Sequence, residues 1–198
     1  RTIIMANKDA AFGFRPVRTL GGGPITSEEM NIAANYNTAI YTGQVVEVVA
    51  GGSIEASTVG ETQIGGVFGG CFYTDPTTSK PTYNAYYPAS TNASDIVATV
   101  YTNPNMVFEG QHDGTVNSGY DSNFANHDFV GTSGSTTTGI STSEIDTDTA
   151  NAGSSGGGTF KQIGISKDPE NSDTSAANVN AYVVFSTGEH IHKLITAI

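Results

Sequence analysis

Short runs of apolar and β-branched residues, rather than a helical repeat, dominate the pattern of this 198-residue chain. Runs of this kind are typical of β-strands when Gly, Asn, Ser and Pro bound them. The predicted strands are Ala39–Tyr41, Gln44–Val49, Ser53–Glu55, Ile64–Tyr73, Ile96–Tyr101, Met106–Glu109 and Tyr182–Phe185. The sequence therefore predicts a mainly β protein, whose body is a small β-barrel or is sandwich-like.

Glycines and turn residues refine this prediction. The strand Ile64–Tyr73 (IGGVFGGCFY) contains four glycines, which mark a bulge, a bend or a close backbone contact, as in a small curled barrel. Gly51 and Gly52 predict a turn between two strands. The segment Thr26–Glu29 matches a helix capping box. However, the AANYN sequence that follows is a poor helix former, so we expect strands there.

The domain organisation follows from the distribution of polar residues. Residues 110–159 are rich in Gly, Ser, Thr and Asn and contain only brief apolar pieces. We expect this segment to be a polar insertion, or an extended loop held by a neighbour, within a single β-rich domain over residues 25–198. Residues 1–24 are predicted to be an extended N-terminal arm.

The composition limits the classes of partner. The net charge is −11, which argues against nucleic acid, because phosphate binding requires clustered Lys and Arg. No apolar run approaches the length of a membrane span, so no membrane association is expected. The N-terminal residues lack the apolar core of a secretory signal. A single cysteine, Cys71, rules out an internal disulfide framework.

The arm differs in charge from the rest of the chain. Four of the eight basic residues lie within the first eighteen positions, and none lies between Lys80 and Lys161. One interpretation is a disordered tail. The other is an arm that becomes ordered on an acidic partner surface, since aromatic and Arg side chains are favoured at interfaces. The binding residues predicted by this second interpretation are Phe12, Phe14, Arg15, Pro16 and Arg18.

Sequence motifs for catalysis or metal binding are weak in this chain. Gly153–Gly157 matches the G-x-S-x-G pattern but lacks the flanking strand and helix that a nucleophile elbow needs. His190 and His192 would share one face of a strand, yet a metal site needs three or four ligands. We expect the histidines to be surface or interface residues. Glu144, Asp146 and Asp148 are interpreted as a solvated acidic loop. No catalytic residue, metal site or cofactor is predicted.

Five segments together resemble a known class of proteins. They are MANKDAAFGFRPVRTLGGGPI, IAANYNTAIYTGQVVEVVAGGSIEAS, IGGVFGGCFYTDP, IVATVYTNPNMVFEGQHDG and FKQIGISKDPENSDTSAANVNAYVVFSTGEHIH. This pattern resembles a class of tailed-bacteriophage head proteins. The resemblance implies a capsid decoration (cement) protein that binds the major capsid protein on the outer surface of the virion, after synthesis in the host cytoplasm. We expect it to be a homo-oligomer, either a dimer or a trimer, and not an enzyme.

Physical arguments are consistent with that function but leave alternatives. An acidic body suits an external face, and strand edges at Gln44–Val49 or Met106–Glu109 would allow a neighbour to add a strand. One alternative is another virion component, from the tail or the fibre base. A second is a carbohydrate-binding β-module in which Tyr83, Tyr86 and Tyr87 form a stacking platform, although the prolines around these tyrosines favour a role in covering a barrel end or a subunit contact.

Overall fold

The computed structural model describes residues 7–61, 63–115, 122–147, 158–186 and 190–193. Its strands are β1 (Arg15–Thr19), β2 (Glu28–Ile32), β3 (Ile40–Tyr41), β4 (Val45–Val48), β5 (Ser53–Ala56), β6 (Ile64–Thr74), β7 (Pro81–Asn84), β8 (Tyr86–Tyr87), β9 (Val97–Tyr101), β10 (Met106–Gln111), β11 (Asn126–His127), β12 (Phe129–Val130), β13 (Glu144–Ile145), β14 (Phe160–Ile165) and β15 (Asn180–Phe185). The described helical residues form two short 3-10 turns, Pro169–Asn171 and Ile191–Lys193. The predicted mainly β class is confirmed.

Five strands close into a small barrel. They pair in the order β4-β5-β2-β9-β6, and pairing between β4 and β6 completes the ring. β7 pairs with the C-terminal part of β6, on the edge opposite β9. The β2–β5 pair is parallel and the others are antiparallel. Its interior is filled mainly by aliphatic and aromatic side chains: Ile32, Ile40, Val46, Ile54, Phe68, Cys71, Tyr73, Tyr87, Ala93, Ile96, Ala98 and Val100.

A second, antiparallel sheet packs against this barrel. Its order is β1-β10-β15-β14-β11. The alternation of side chains along a strand supplies both cores. Val46 points into the barrel, whereas its neighbour Val45 joins the sheet-side core; Phe68 and Val67 divide in the same way. This second core also contains Phe14, Ile64, Met106, Phe108, Phe129, Ile145, Phe160, Ala181, Val183 and Phe185.

The glycines of β6 occupy the bulge that the sequence predicts. The register with β9 shifts between Phe68 and Gly70. Gly70 has φ +128°, and a Cβ there would lie 2.3 Å from the hydroxyl oxygen of Tyr83. Glycine is favoured at this position because L side chains rarely adopt such a φ value, whatever the space around them.

The predicted arm boundary at residue 24 is corrected by β1. Arg15–Thr19 pairs with β10, and Phe14 is fully buried in the sheet-side core. The sequence pattern missed this strand because a bulge between Pro16 and Arg18 breaks its alternation. Residues 7–19 are therefore part of the body, and residues 1–6 lie outside the described residues.

The polar segment over residues 110–159 is also more integrated than expected. Its described residues include β11, β12 and β13, and the side chains of Phe129 and Ile145 are fully buried. These two apolar residues pack this segment against the sheet-side core. The sequence does not predict their burial, because isolated apolar residues among Gly, Ser and Thr give no periodic pattern.

The predicted strand edges are not edges. The strand at Gln44–Val49 lies between β5 and β6, and the strand at Met106–Glu109 lies between β1 and β15. Their backbone groups are therefore unavailable for adding a strand from a neighbour, and that part of the prediction is wrong.

Candidate interaction surface

An apolar groove of about 350 Å³ opens where the N-terminal segment crosses from the sheet to the barrel. Phe12, Phe14, Arg15 and Pro16 supply one side of it. The other side is formed by Thr42, Gly43, Phe68, Tyr101 and Ile140. We call this feature the β1 groove. Its lining is mostly hydrocarbon and aromatic, which suits an apolar segment of a partner better than a charged ligand.

A backbone contact fixes the geometry of the β1 groove. The amide of Phe14 donates to the carbonyl oxygen of Gly43 at 2.8 Å, and the amide of Gly43 donates to the carbonyl oxygen of Phe68 at 2.8 Å. Gly13 has φ +72°, and a Cβ on it would lie 2.7 Å from the Gly43 oxygen. The N-terminal segment can approach the barrel this closely because both crossing residues are glycines.

Arg15 is held within its own chain. Its guanidinium forms an ion pair with the Glu109 carboxylate at 2.5 Å, and its central carbon lies 4.9 Å from the ring centroid of Phe12. Arg15 and Glu109 are direct cross-strand partners, an arrangement that stabilises antiparallel pairs. Because Glu109 is buried and Arg15 is exposed, the arginine satisfies a carboxylate that would otherwise be costly to bury.

The five predicted binding residues therefore have different locations. Phe12, Arg15 and Pro16 lie together at the surface of the β1 groove. Phe14 is fully buried and stacks on Phe160 at a centroid distance of 4.3 Å, so its predicted role as a surface anchor is wrong. Arg18 is exposed and does not line the groove. Their predicted contact with a capsid stays a prediction.

The three tyrosines of the alternative carbohydrate platform do not share one surface. Tyr87 is fully buried, and its hydroxyl donates to the carbonyl oxygen of Tyr36 at 3.0 Å. Tyr86 is half-buried and stacks on Tyr41 at 5.6 Å. Tyr83 alone of the three is highly exposed, at 65%. A joint platform is excluded by the burial of Tyr87.

Three of the four histidines are buried, contrary to the expectation of surface positions. The rings of His112 and His127 meet edge to face at 5.3 Å, and His112 Nε2 lies 2.9 Å from Gln162 Oε1. Burial lowers the pKa of His112 to about 4 and also lowers the pKa of His127. Both imidazoles are therefore neutral at neutral pH and act as core side chains.

His190 is buried against Phe185 at 4.6 Å, while His192 lies 3.8 Å from the Glu28 carboxylate. Among the residues that the structure describes, no group of three or more His, Cys, Asp or Glu side chains could hold a metal ion. Gly153–Gly157 and Asp148 lie outside the described residues, whereas Asp146 is buried rather than solvated.

Glu47 is the carboxyl group with the largest described shift. It lies opposite Glu55 across β4 and β5. Burial, reinforced by the neighbouring Glu61 and Glu55 carboxylates, raises its pKa to about 7. Such a pKa suits proton transfer, but Glu47 lines neither the β1 groove nor the polar cleft between Asn7 and Asn180.

That polar cleft, of about 220 Å³, is lined largely by amide side chains. Gln111 accepts from the Ala10 amide and donates to the carbonyl oxygens of Lys8 and Asn178. Asn171 donates to the carbonyl oxygen of Asn180. These amides hold residues 7–10 against the sheet, so their hydrogen-bonding capacity is largely used within the chain.

The sequence prediction missed several surface residues. Val17, Leu20, Ile25, Phe72 and Ile140 are exposed large apolar side chains. The signal for Leu20 and Ile25 was available, because they flank a Gly-Gly-Gly-Pro segment that cannot belong to a core strand. Phe72 and Ile140 carry no such signal, since their exposure depends on which strand lies beside them.

Comparisons of the chain with protein-family models, curated proteins and solved structures give no significant match. No helix in the described parts of the chain is long and apolar enough to cross a membrane.

Proposed function

We propose that this protein is a capsid decoration protein, which binds the outer surface of a phage head and bridges subunits of the major capsid protein. The observation that carries the proposal is the β1 groove, an apolar recess beside Phe12, Pro16 and Ile140 on an otherwise acidic chain. The sequence resemblance to tailed-phage head proteins provides the class of partner.

The groove supports binding of an extended apolar segment from a shell subunit. Its walls are set before binding, because the Gly13–Gly43 crossing and the Arg15–Glu109 ion pair hold the N-terminal segment in place. A preformed site loses little conformational entropy on association. Many copies on a symmetric lattice would multiply a modest contact into substantial stabilisation of the shell.

The test combines copy number with reconstitution. We expect quantitative mass spectrometry of purified particles to find this protein in a simple ratio to the major capsid protein. A handful of copies would instead favour a tail or fibre-base component, and absence from particles would contradict the proposal.

Reconstitution tests the groove itself. Ile140→Glu places a charge at the mouth of the groove and should weaken uptake onto heads that lack the protein by at least about tenfold. Val59→Glu is the matched control, because Val59 is similarly exposed but does not line the groove. Equal uptake of both variants would show that another surface carries the binding.

A further inference from the structure

Two exposed apolar patches outside the β1 groove carry charges of opposite sign. The first, which we call the loop patch, consists of Val17, Arg18, Leu20 and Ile25 on β1 and the β1–β2 connection. The second, the aromatic patch, consists of Phe72 and Tyr83 on adjacent strands of the barrel wall. None of these residues belongs to a hydrophobic core cluster among the described residues.

The loop patch is exposed but ordered. Every residue from 20 to 29 is exposed. The Leu20 amide donates to the Asn105 carbonyl oxygen at 2.8 Å, and the Thr19 hydroxyl donates to the Pro24 carbonyl oxygen at 3.0 Å. An apolar loop that is already ordered loses little entropy when it binds. Its apolar side chains, Leu20 at 42% and Ile25 at 47% exposure, are therefore suited to insertion into a partner surface.

The aromatic patch is equally well ordered. Phe72 and Tyr83 are directly opposite each other on β6 and β7, with exposed fractions of 47% and 65%. The Tyr83 hydroxyl donates to the Gly69 carbonyl oxygen at 3.2 Å, which fixes the ring against the β6 backbone. Val97, the partner of Phe72 on β9, is half-buried and extends the apolar surface. Exposed, immobilised aromatic rings are typical of interface centres.

A carboxylate borders the aromatic patch. Asp95 is exposed two residues before β9, where it accepts hydrogen bonds from the amide and hydroxyl of Thr74. These bonds lower its pKa, so the carboxylate is ionised at neutral pH. Arg18, in contrast, forms no ion pair with any described residue. One patch therefore presents an unpaired cation and the other an anion.

The two patches lie toward opposite ends of β9. The loop patch leads into β2, where Glu28 pairs with Val100, whereas Phe72 pairs with Val97 at the beginning of β9. The formal charges of the chain are divided in a similar way, with most of the net negative charge outside the N-terminal residues. Residues 1–27 carry four basic side chains and one carboxylate, but residues 28–198 carry four basic and eighteen acidic side chains.

We propose that the occupant of the aromatic patch is the loop patch of a second copy of this chain, with Leu20 and Ile25 packed on Phe72 and Tyr83 and with Arg18 beside Asp95. Because two different surfaces meet, the contact is head-to-tail rather than two-fold, and it forms a ring where the rotation between successive copies closes. The proposal deepens the proposed function by naming a neighbouring copy as a partner, but the contact itself forms without the capsid.

Photo-crosslinking of the purified full-length protein tests the contact directly. With p-benzoylphenylalanine in place of Tyr83, we expect a crosslinked oligomer whose bridging peptide maps to residues 17–25 of another copy. The matched control places the same probe at Phe124, which is 75% exposed and belongs to neither patch. A crosslink from position 83 to any other segment, or none at all, would overturn the proposal.

Sedimentation of charge variants tests the electrostatic pairing. Arg18→Glu should weaken self-association by about tenfold at low salt, because it replaces an attraction by a repulsion. Adding Asp95→Arg to that variant should restore most of the loss. A single species of monomer mass for the unaltered protein at all concentrations would contradict the proposal.

The two proposals fail separately. Ile140→Glu should leave self-association unchanged, since Ile140 lies in the β1 groove, and Leu20→Ser with Ile25→Ser should dissociate the oligomer of the isolated protein. If the protein is monomeric but still binds heads, the self-association proposal is wrong and the decoration proposal stands. If the protein forms a ring that never binds heads, the decoration proposal is wrong and the self-association proposal stands.

Discussion

The N-terminal segment divides into two halves that have similar compositions but differ in how far their side chains contact the rest of the chain. Residues 12–16 contain two aromatic residues, an arginine and a proline, and they are anchored to the body by the burial of Phe14 and by the ion pair of the exposed Arg15 with Glu109. Residues 17–25 contain three large aliphatic residues, an arginine and a proline, and their apolar side chains remain exposed. The comparison teaches that a run of apolar and cationic residues forms an exposed segment only where the same chain offers those side chains no binding partner.

The internal partners of the first half are specific. Gly110 on β10 leaves space for the Phe14 ring, since a Cβ there would lie 2.9 Å from it. Glu109, the preceding residue, binds Arg15. In the second half, Thr19 pairs with Met106, the first residue of β10, so Leu20 and Ile25 lie beyond the paired part of β1. The exposure of Leu20 and Ile25 follows from where β10 begins, whereas Val17 and Arg18 are exposed although they lie within β1.

The largest effect is expected from comparing two truncations. Phe14→Ala should lower the free energy of unfolding by about 3–5 kcal/mol, because it leaves a cavity beside Phe160. Leu20→Ala should change it by less than about 0.5 kcal/mol, since Leu20 is exposed. Chemical denaturation of both variants measures the difference. A similar small effect at both positions would mean that Phe14 is not part of the core.

Two glycine substitutions give an intermediate effect. Gly13 and Gly22 have φ values of +72° and +83°, but a Cβ at Gly13 meets the Gly43 carbonyl oxygen, whereas a Cβ at Gly22 meets nothing within 4 Å. We expect Gly22→Ala to cost about 1 kcal/mol from backbone strain alone, and Gly13→Ala about 2–3 kcal/mol because the crossing must also separate. Thermal unfolding of the pair isolates the steric contribution, and equal midpoints would contradict the close crossing.

The smallest effect concerns the two arginines. Arg15→Met should destabilise the protein by about 1–2 kcal/mol, because the buried Glu109 carboxylate loses its partner. Arg18→Met should have an effect within about 0.5 kcal/mol. Replacing Glu109 by Met as well should recover much of the Arg15→Met loss, since an apolar pair of similar size avoids an unpaired buried charge. No recovery in denaturation experiments would show that Arg15 acts through Phe12 instead.

The sequence predicted the strands with the clearest apolar runs, and β4, β6, β9 and β15 lie where their patterns indicate. It also predicted the turn at Gly51 and Gly52 and the irregularity of β6. The β1 strand was missed because Pro16 and the adjacent bulge remove its alternation. The buried positions of Phe129 and Ile145 were missed because single apolar residues within polar sequence have no period.

The candidate site was predicted only in part. Phe12, Arg15 and Pro16 were identified from composition, but their groove also needs Tyr101 and Ile140, which come from distant parts of the chain. The loop patch and the aromatic patch are likewise defined by exposure, which local sequence does not encode. Phe72 and Phe68 lie on the same strand, yet one is exposed and the other is fully buried.

The sequence by itself determined the strand-rich class, the glycine-dependent curvature of β6 and the uneven division of charge between the N-terminal residues and the rest of the chain. These properties depend on neighbouring residues or on simple counting. Only the tertiary structure decided which strands are edges, which of the two arginines Arg15 and Arg18 is neutralised, and which aromatic side chains reach solvent. Those outcomes depend on pairing between residues far apart in the chain, such as Arg15 with Glu109, and no local pattern specifies such a pairing.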